Sequence, residues 1–405
     1  MDPRENPYTP NAGARPPELV GRGDQLDSFE LLLERLRRGR TEQSMLITGL
    51  RGVGKTVLLT RFRERAEESG WAVTELEVSK HDDAAFRREL ALDLRRALFA
   101  IAPKEKWRDR VRRAASALRA FTLSVDPDGN LTAGMDADAI AGLADSGMLA
   151  ADLADVMVTM GEAARDHDTG VVILLDEVQF LSRQQLEAVI MALHRTVQRS
   201  LPITLVGAGL PQVPELAGEA KSYAERLFRF PAIGNLSDAD AATALTAPAA
   251  EQGVRFDDEA IEAAIAFTEG YPYFLQELGY AVWTIATQGV VRLADVQAAQ
   301  RLVEDKLDGS FFRVRIDRTT ELERAYLRAM AELGPEPHLA GDVARLLGRS
   351  STQCGPTRSQ LIDKGLLYTP SHGYAAFTVP HFDRFLRRTI PQNQVPPVRK
   401  RKKGR

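Results

Sequence analysis

The 405-residue chain is long enough for two or three hydrophobic cores, and its 44% hydrophobic and 27% charged residues are ordinary for a globular protein in water. A single cysteine, Cys354, excludes an intrachain disulfide and a cysteine-built zinc site and fits a reducing cytoplasm. No aliphatic run approaches the ~20 residues of a membrane span, and residues 1–7 lack the apolar stretch of a signal peptide, so neither a membrane partner nor export is expected.

Residues 1–17 are proline-rich and polar and read as a disordered segment. Leu19-Val20-Gly21-Arg22 then leads to a helix with Leu26, Phe29, Leu33 and Leu36 on one stripe. The apolar run 45–48 reads as a buried strand. It enters Gly49-Leu50-Arg51-Gly52-Val53-Gly54-Lys55-Thr56, and helical periodicity resumes from Val57 to residue 66. Strand, glycine loop and helix in that order are the setting of a phosphate-binding loop. Gly49, Gly52 and Gly54 let successive N–H groups turn inward around a phosphate chain, with the partial positive charge of the helix N-terminus behind them. Lys55 is then placed to reach the β- and γ-phosphates, and Thr56 to offer its hydroxyl to Mg²⁺. The expected ligand is a nucleoside triphosphate, with Arg51, Val53 and Val57 in the same binding segment.

A second strand spans 71–78, followed by helices over 84–100 and 104–119. The latter carries Lys104, Lys106, Arg108, Arg110, Arg112 and Arg113, either a solvated face or a phosphate-binding one. Turn residues 126–130 between β-prone runs read as a small hairpin over 121–133. After a helix over 148–166, the run 171–175 is the most apolar strand of the chain and ends in Asp176-Glu177. A strand apolar on both faces is central and parallel, and the C-terminal strand ends are where α/β sheets hold ligands. Asp176 suits a magnesium role, and Glu177 can orient and deprotonate an attacking water. A helix over 183–199, a strand at 203–206 and a fifth strand ending near Phe230, just after Arg226, complete an α/β fold with a parallel sheet.

From residue 236 the β signal stops. Ser237 with Asp240 caps one helix, Asp257-Asp258-Glu259 opens another, and Gly270-Tyr271-Pro272-Tyr273 starts a third. Further on, Thr320 and Glu323 make a capping box, and Pro356 and Gly365 read as the start and end of a later helix. Two short strands then flank Ser371-His372-Gly373. Three helices and a hairpin in that order make a winged helix-turn-helix. The last of these helices, in a DNA major groove, would present Arg358 and Lys364, with Gln353 and Thr357 near its start and His372 at the wing tip as a phosphate contact or a structural residue. Arg399, Lys400, Arg401, Lys402, Lys403 and Arg405 form an acid-free tail that would add positive charge against nucleic acid. The expected plan is a disordered segment at 1–17, a phosphate-loop domain at 18–235, a helical lid at 236–310, a winged helix at 311–390 and a basic tail at 391–405.

The phosphate loop, Asp176-Glu177, the helical lid and the winged helix together resemble AAA+-type P-loop ATPases, in particular the origin-recognition-like and STAND-related ATP-binding proteins of bacteria and archaea. The resemblance implies ATP or ADP with Mg²⁺. It also implies that Val20, Gly21 and Arg22 lie against the adenine and that Tyr271 and Pro272 approach the nucleotide. Arg226 stands like an arginine finger, which acts on a neighbouring subunit's nucleotide and so implies a homo-oligomer. Two departures are plain. The fourth strand ends in Gly207-Ala208-Gly209, where the family carries a polar γ-phosphate sensor, and no arginine follows Pro272 as a second sensor. The implied function is a cytoplasmic, slowly hydrolysing ATP switch coupled to DNA. The alternative is a regulatory ATPase whose winged helix docks a protein.

Overall fold

Five strands pair into one parallel sheet: β1 (Ser44–Thr48), β2 (Ala72–Glu77), β3 (Val171–Asp176), β4 (Ile203–Gly209) and β5 (Phe228–Arg229), in the order β2-β3-β4-β1-β5. β1, β3 and β4 are buried at every residue, as strands covered on both faces must be, while β2 at the edge alternates. The register sets Ile173 beside Leu205 and Ile47 beside Ala208, so the loop after β1 and the acids after β3 emerge at the same edge of the sheet. The computed structural model describes all residues except 12, 18, 80–81, 103–108, 124–125, 127–137, 288, 392–394 and 398–405.

The chain divides into two compact units. One comprises Arg22–Gly49 and Gly54–Ile233; the other comprises Met1–Gly21, Leu50–Val53 and Gly234–Arg405. In the first, helices Asp83–Ile101, Asp109–Leu123 and Leu149–Asp166 lie between β2 and β3 in sequence and join its core. Arg87 is buried among them, 3.0 Å from Asp152 and stacked over Phe121, so its charge is both paired and covered. The expected hairpin is corrected at its first strand. Phe121, Thr122 and Leu123 end a helix, with Phe121 and Thr122 on its buried side and Leu123 exposed; residues 131–133 lie outside the described residues. Of the basic positions in this region, Lys104, Lys106 and Arg108 are also outside them. Arg110 pairs with Asp166 at 3.0 Å, and Arg112 and Arg113 are exposed.

The second unit holds helices Asp238–Glu251, Asp258–Thr268, Pro272–Ile285 and Leu293–Lys306, then the winged-helix elements. Ser237 caps its helix as expected, accepting from the Asp240 N–H at 3.2 Å, and Thr320 with Glu323 closes a reciprocal capping box. Helices Glu321–Leu333, Ala340–Leu346 and Ser351–Asp363 precede the hairpin strands Leu367–Tyr368 and Tyr374–Phe377. His338–Leu339 adds a third antiparallel strand that sequence pattern did not show. Pro356 lies inside its helix rather than at its start; the true start is Ser350, whose capping box with Gln353 sets the boundary.

The expected disorder of residues 1–17 is corrected for the first nine. Tyr8 is 2% exposed, its hydroxyl donating to the Leu245 carbonyl and its ring resting on Gly279. The Trp283 indole N–H donates to the Asp2 carbonyl at 2.8 Å, and Asn6 donates to the Tyr280 carbonyl at 3.2 Å. Proline removes donors and polar side chains lower hydropathy, but neither prevents one buried aromatic from anchoring a short segment.

Candidate nucleotide-binding site

The residues singled out after β1 and β3 converge. The Gly49 N–H donates to the Gly209 carbonyl at 3.1 Å, fastening the start of the loop to the end of β4. Gly52 at φ +77° and Gly54 at φ +93° supply left-handed turns that a side chain would strain. Lys55, the first residue of helix Lys55–Glu68, is buried, and its ammonium donates to the Gly49 carbonyl at 3.0 Å. Thr56 donates its hydroxyl to Asp176 Oδ2 at 2.6 Å, across 120 residues of sequence. Asp176 Oδ1 accepts the Glu177 N–H at 2.8 Å, and Glu177 itself stands at φ +56°. Val53 is buried and Val57 half-buried.

Leu50–Val53, the tip of the loop, belongs to the second unit, where the Tyr271 hydroxyl donates to the Arg51 carbonyl. In a planar trans peptide the C=O and the following N–H point opposite ways, so this bond turns the Gly52 N–H away from Tyr271. Among the described residues that N–H has no acceptor. Any Cβ at Gly52 would strike the Tyr271 hydroxyl, which ties the glycine to the tyrosine. Tyr271 is fully buried, and burial raises its hydroxyl well above the usual tyrosine range, keeping it a donor. Pro272 opens helix Pro272–Ile285, where the missing N–H costs nothing.

Val20 is half-buried. Gly21 turns at φ +68° with the Asp240 carboxylate 2.9 Å from where a Cβ would be, and Arg22 is buried at the start of helix Gly23–Arg37. Arg226 is exposed on the short helix Ala224–Leu227, and its guanidinium has no ion pair among the described residues. Sequence pattern missed Gln179, whose carboxamide donates to the Glu177 carboxylate and accepts from the Leu210 N–H at 3.0 Å.

Of the expected nucleic-acid positions, Thr357 is corrected, since its burial keeps it from any groove, while the others reach the surface. Thr357 is 5% exposed in the winged-helix core, and the Gln353 side chain closes the capping box. Lys364 donates to both Glu323 oxygens at 2.7 and 2.6 Å and to the Arg318 carbonyl at 2.9 Å. Arg358 is half-exposed, and His372 is exposed at the hairpin tip. Arg399, Lys400, Arg401, Lys402, Lys403 and Arg405 lie outside the described residues.

Residues 18–206 match the family model of the AAA ATPase domain, and residues 309–386 match a domain of unknown function. No curated protein shows significant sequence similarity to the chain. Among solved structures, the Walker-type ATPase paby2304 of Pyrococcus abyssi is similar in fold at a TM-score of 0.55 with 15% identity, over 92% of this chain and 97% of that one. The Aeropyrum pernix ORC1 protein in complex with DNA matches at 0.42 with 18% identity, over 92% and 94%. The Thermotoga maritima RuvB Holliday junction branch migration motor matches at 0.46 with 15% identity, over 88% and 92%. No helix among the described residues is long and apolar enough to cross a membrane. Residues 18–206, which hold the glycine loop and the Thr56–Asp176 bond, form an ATP-binding AAA-type P-loop domain.

Proposed function

We propose that this protein is a slow ATPase switch, whose nucleotide state alters what its winged-helix unit binds. The Thr56–Asp176 hydrogen bond carries the reading, because it joins the residue after the loop lysine to the acid at the end of β3. A hydroxyl and a carboxylate at that spacing are the protein's share of a magnesium site, which otherwise draws on phosphate and water oxygens. Thr56 and Asp176 would hold Mg²⁺, which neutralises charge on the phosphates. No group of three or more His, Cys, Asp or Glu with metal-holding geometry occurs among the described residues, and a site completed by substrate needs none.

Loop amides and Lys55 hold the β- and γ-phosphates. Glu177 takes a proton from water as the water oxygen bonds to the γ-phosphorus. The bond from that phosphorus to the bridging oxygen breaks, and ADP leaves with the electron pair. Val20, Gly21, Arg22 and Pro272 contribute the base-side contacts, and Arg226 completes the site of a neighbouring copy. A lone buried thiol, Cys354, suits residence in the cytoplasm.

The test is a pair of variants. Lys55→Ala is expected to weaken ATP binding at least a hundredfold, and Glu177→Gln to keep binding while hydrolysis collapses by roughly 10²–10⁴-fold. Full ATP affinity in Lys55→Ala sinks the reading. A second reading, protein docking by the winged helix, is favoured by the engagement of Gln353, Thr357 and Lys364 within their own fold. DNA remains the partner if Arg358→Ala weakens duplex binding and the salt slope survives deletion of residues 391–405.

A further inference from the structure

The end of β4 has no room for a polar side chain. A Cβ at Gly207 would lie 2.5 Å from Leu46 and 2.8 Å from Val178, and one at Gly209 would lie 2.6 Å from Val213 and 2.7 Å from Gln179 Oε1. The strand has closed on its neighbours, and the polar group beside Glu177 arrives instead from the turn after β3. Gln179 makes two bonds there. Its Oε1 accepts from the Leu210 N–H at 3.0 Å, and its Nε2 donates to Glu177 Oε2. The polarity is forced: the Leu210 N–H can only donate, so the carboxamide oxygen must face it and the amide nitrogen must face the carboxylate.

Glu177 needs such a hold. Its backbone is in the left-handed region at φ +56°, and its N–H is tied to Asp176 Oδ1 at 2.8 Å. These contacts fix the main chain but leave the side-chain torsions open. We infer that Gln179 is a positioning residue for Glu177, locking one carboxylate oxygen to the β4 end so that the other is held ready for the proton of the attacking water. Gln179 itself touches no reacting atom. Through Leu210, any movement of the turn after β4 is passed to the general base. The inference rests on the reading of Glu177 as that base.

The experiment measures ATP affinity and single-turnover hydrolysis for wild type, Gln179→Met, Gly209→Ala and Glu177→Gln. Methionine keeps length and volume but removes the carboxamide. The methyl of Gly209→Ala, at an ordinary backbone conformation, pushes the carboxamide off Leu210 from the other side. Both are expected to slow hydrolysis about tenfold, the value of one hydrogen bond to a charged group, and Gln179→Met to keep ATP affinity within about twofold of wild type. Equal or faster hydrolysis in both variants overturns the inference, because the bond would then be idle or a brake. So does a loss of affinity in Gln179→Met as large as its loss of rate, the mark of a merely structural contact. Since the two substitutions reach the contact from opposite sides, misfolding of one leaves the other to decide. If wild type is no faster than Glu177→Gln, the assignment of the base falls first and this inference with it.

Discussion

The phosphate loop and helix Ser351–Asp363 of the winged unit were both read from short motifs, yet they fare differently. At the loop, Lys55 donates to the Gly49 carbonyl, and Asp176 accepts from the Thr56 hydroxyl and the Glu177 N–H. On the helix, Thr357 faces the core, Gln353 caps, and Lys364 neutralises a carboxylate that is 1% exposed. The difference lies in what fixes each residue. A phosphate cradle is a backbone shape, and glycines at left-handed positions determine it locally. Which side of a helix faces out is decided by packing partners distant in sequence, and a hydrophobic stripe as weak as that of Ser351–Asp363 does not set it.

The largest effect that would sharpen this contrast belongs to Arg226. An exposed guanidinium with no ion pair among the described residues has no evident structural task. Arg226→Ala should slow hydrolysis by ~10³-fold, at the lower end for an arginine finger, with ATP affinity unchanged. Mixing it with Glu177→Gln chains, which lack the base but keep Arg226, should restore part of the rate as concentration rises. An undiminished rate in Arg226→Ala would make the residue an ordinary surface arginine.

The opposite outcome is expected at Lys364. Burial raises the Glu323 carboxyl, but the Lys364 and Thr320 hydrogen bonds outweigh it and hold the group below the usual carboxylate range. Lys364→Ala strands that carboxylate and should cost about 2 kcal/mol of stability at neutral pH, less than a fully buried pair because the lysine is partly in water. With the folded pKa below the unfolded one, the pair's contribution is complete above the usual carboxylate pKa and is lost as pH falls through the folded value. Denaturant melts of wild type and variant should therefore converge in acid. If Lys364→Ala instead leaves stability intact and weakens DNA binding, the recognition-helix reading returns and the contrast between the two regions breaks.

Legibility in sequence followed the same divide. The five strands, most helices and the central pairing of loop and acids were readable, because Val171 to Leu175 and the glycine spacing of 49–56 are local signals. His338–Leu339 was not, since two residues become a strand only by pairing with Tyr374 and Ala375. Gln179 was not, because nothing in Asp-Glu-Val-Gln says that its amide will reach the Leu210 N–H, 31 residues on. The helical end at Phe121–Leu123 shows β-prone residues overridden by the burial of Phe121 and Thr122 on the helix.

The smallest effect concerns the N-terminal segment, whose composition pointed to disorder. Tyr8→Phe keeps the ring against Gly279 and removes only the hydrogen bond to the Leu245 carbonyl, so it should cost about 1 kcal/mol. Gly279→Ala should do more, because its methyl would lie 2.5 Å from the Tyr8 ring and would lift the segment off the helix. Limited proteolysis within residues 1–9 reads both: slow in wild type, faster in Tyr8→Phe and fastest in Gly279→Ala. Equal cleavage in all three would return the segment to the disorder its composition suggests. The graded result would show that one aromatic ring and one glycine, like the loop glycines and unlike helix Ser351–Asp363, can set a local structure by the shape of a single contact.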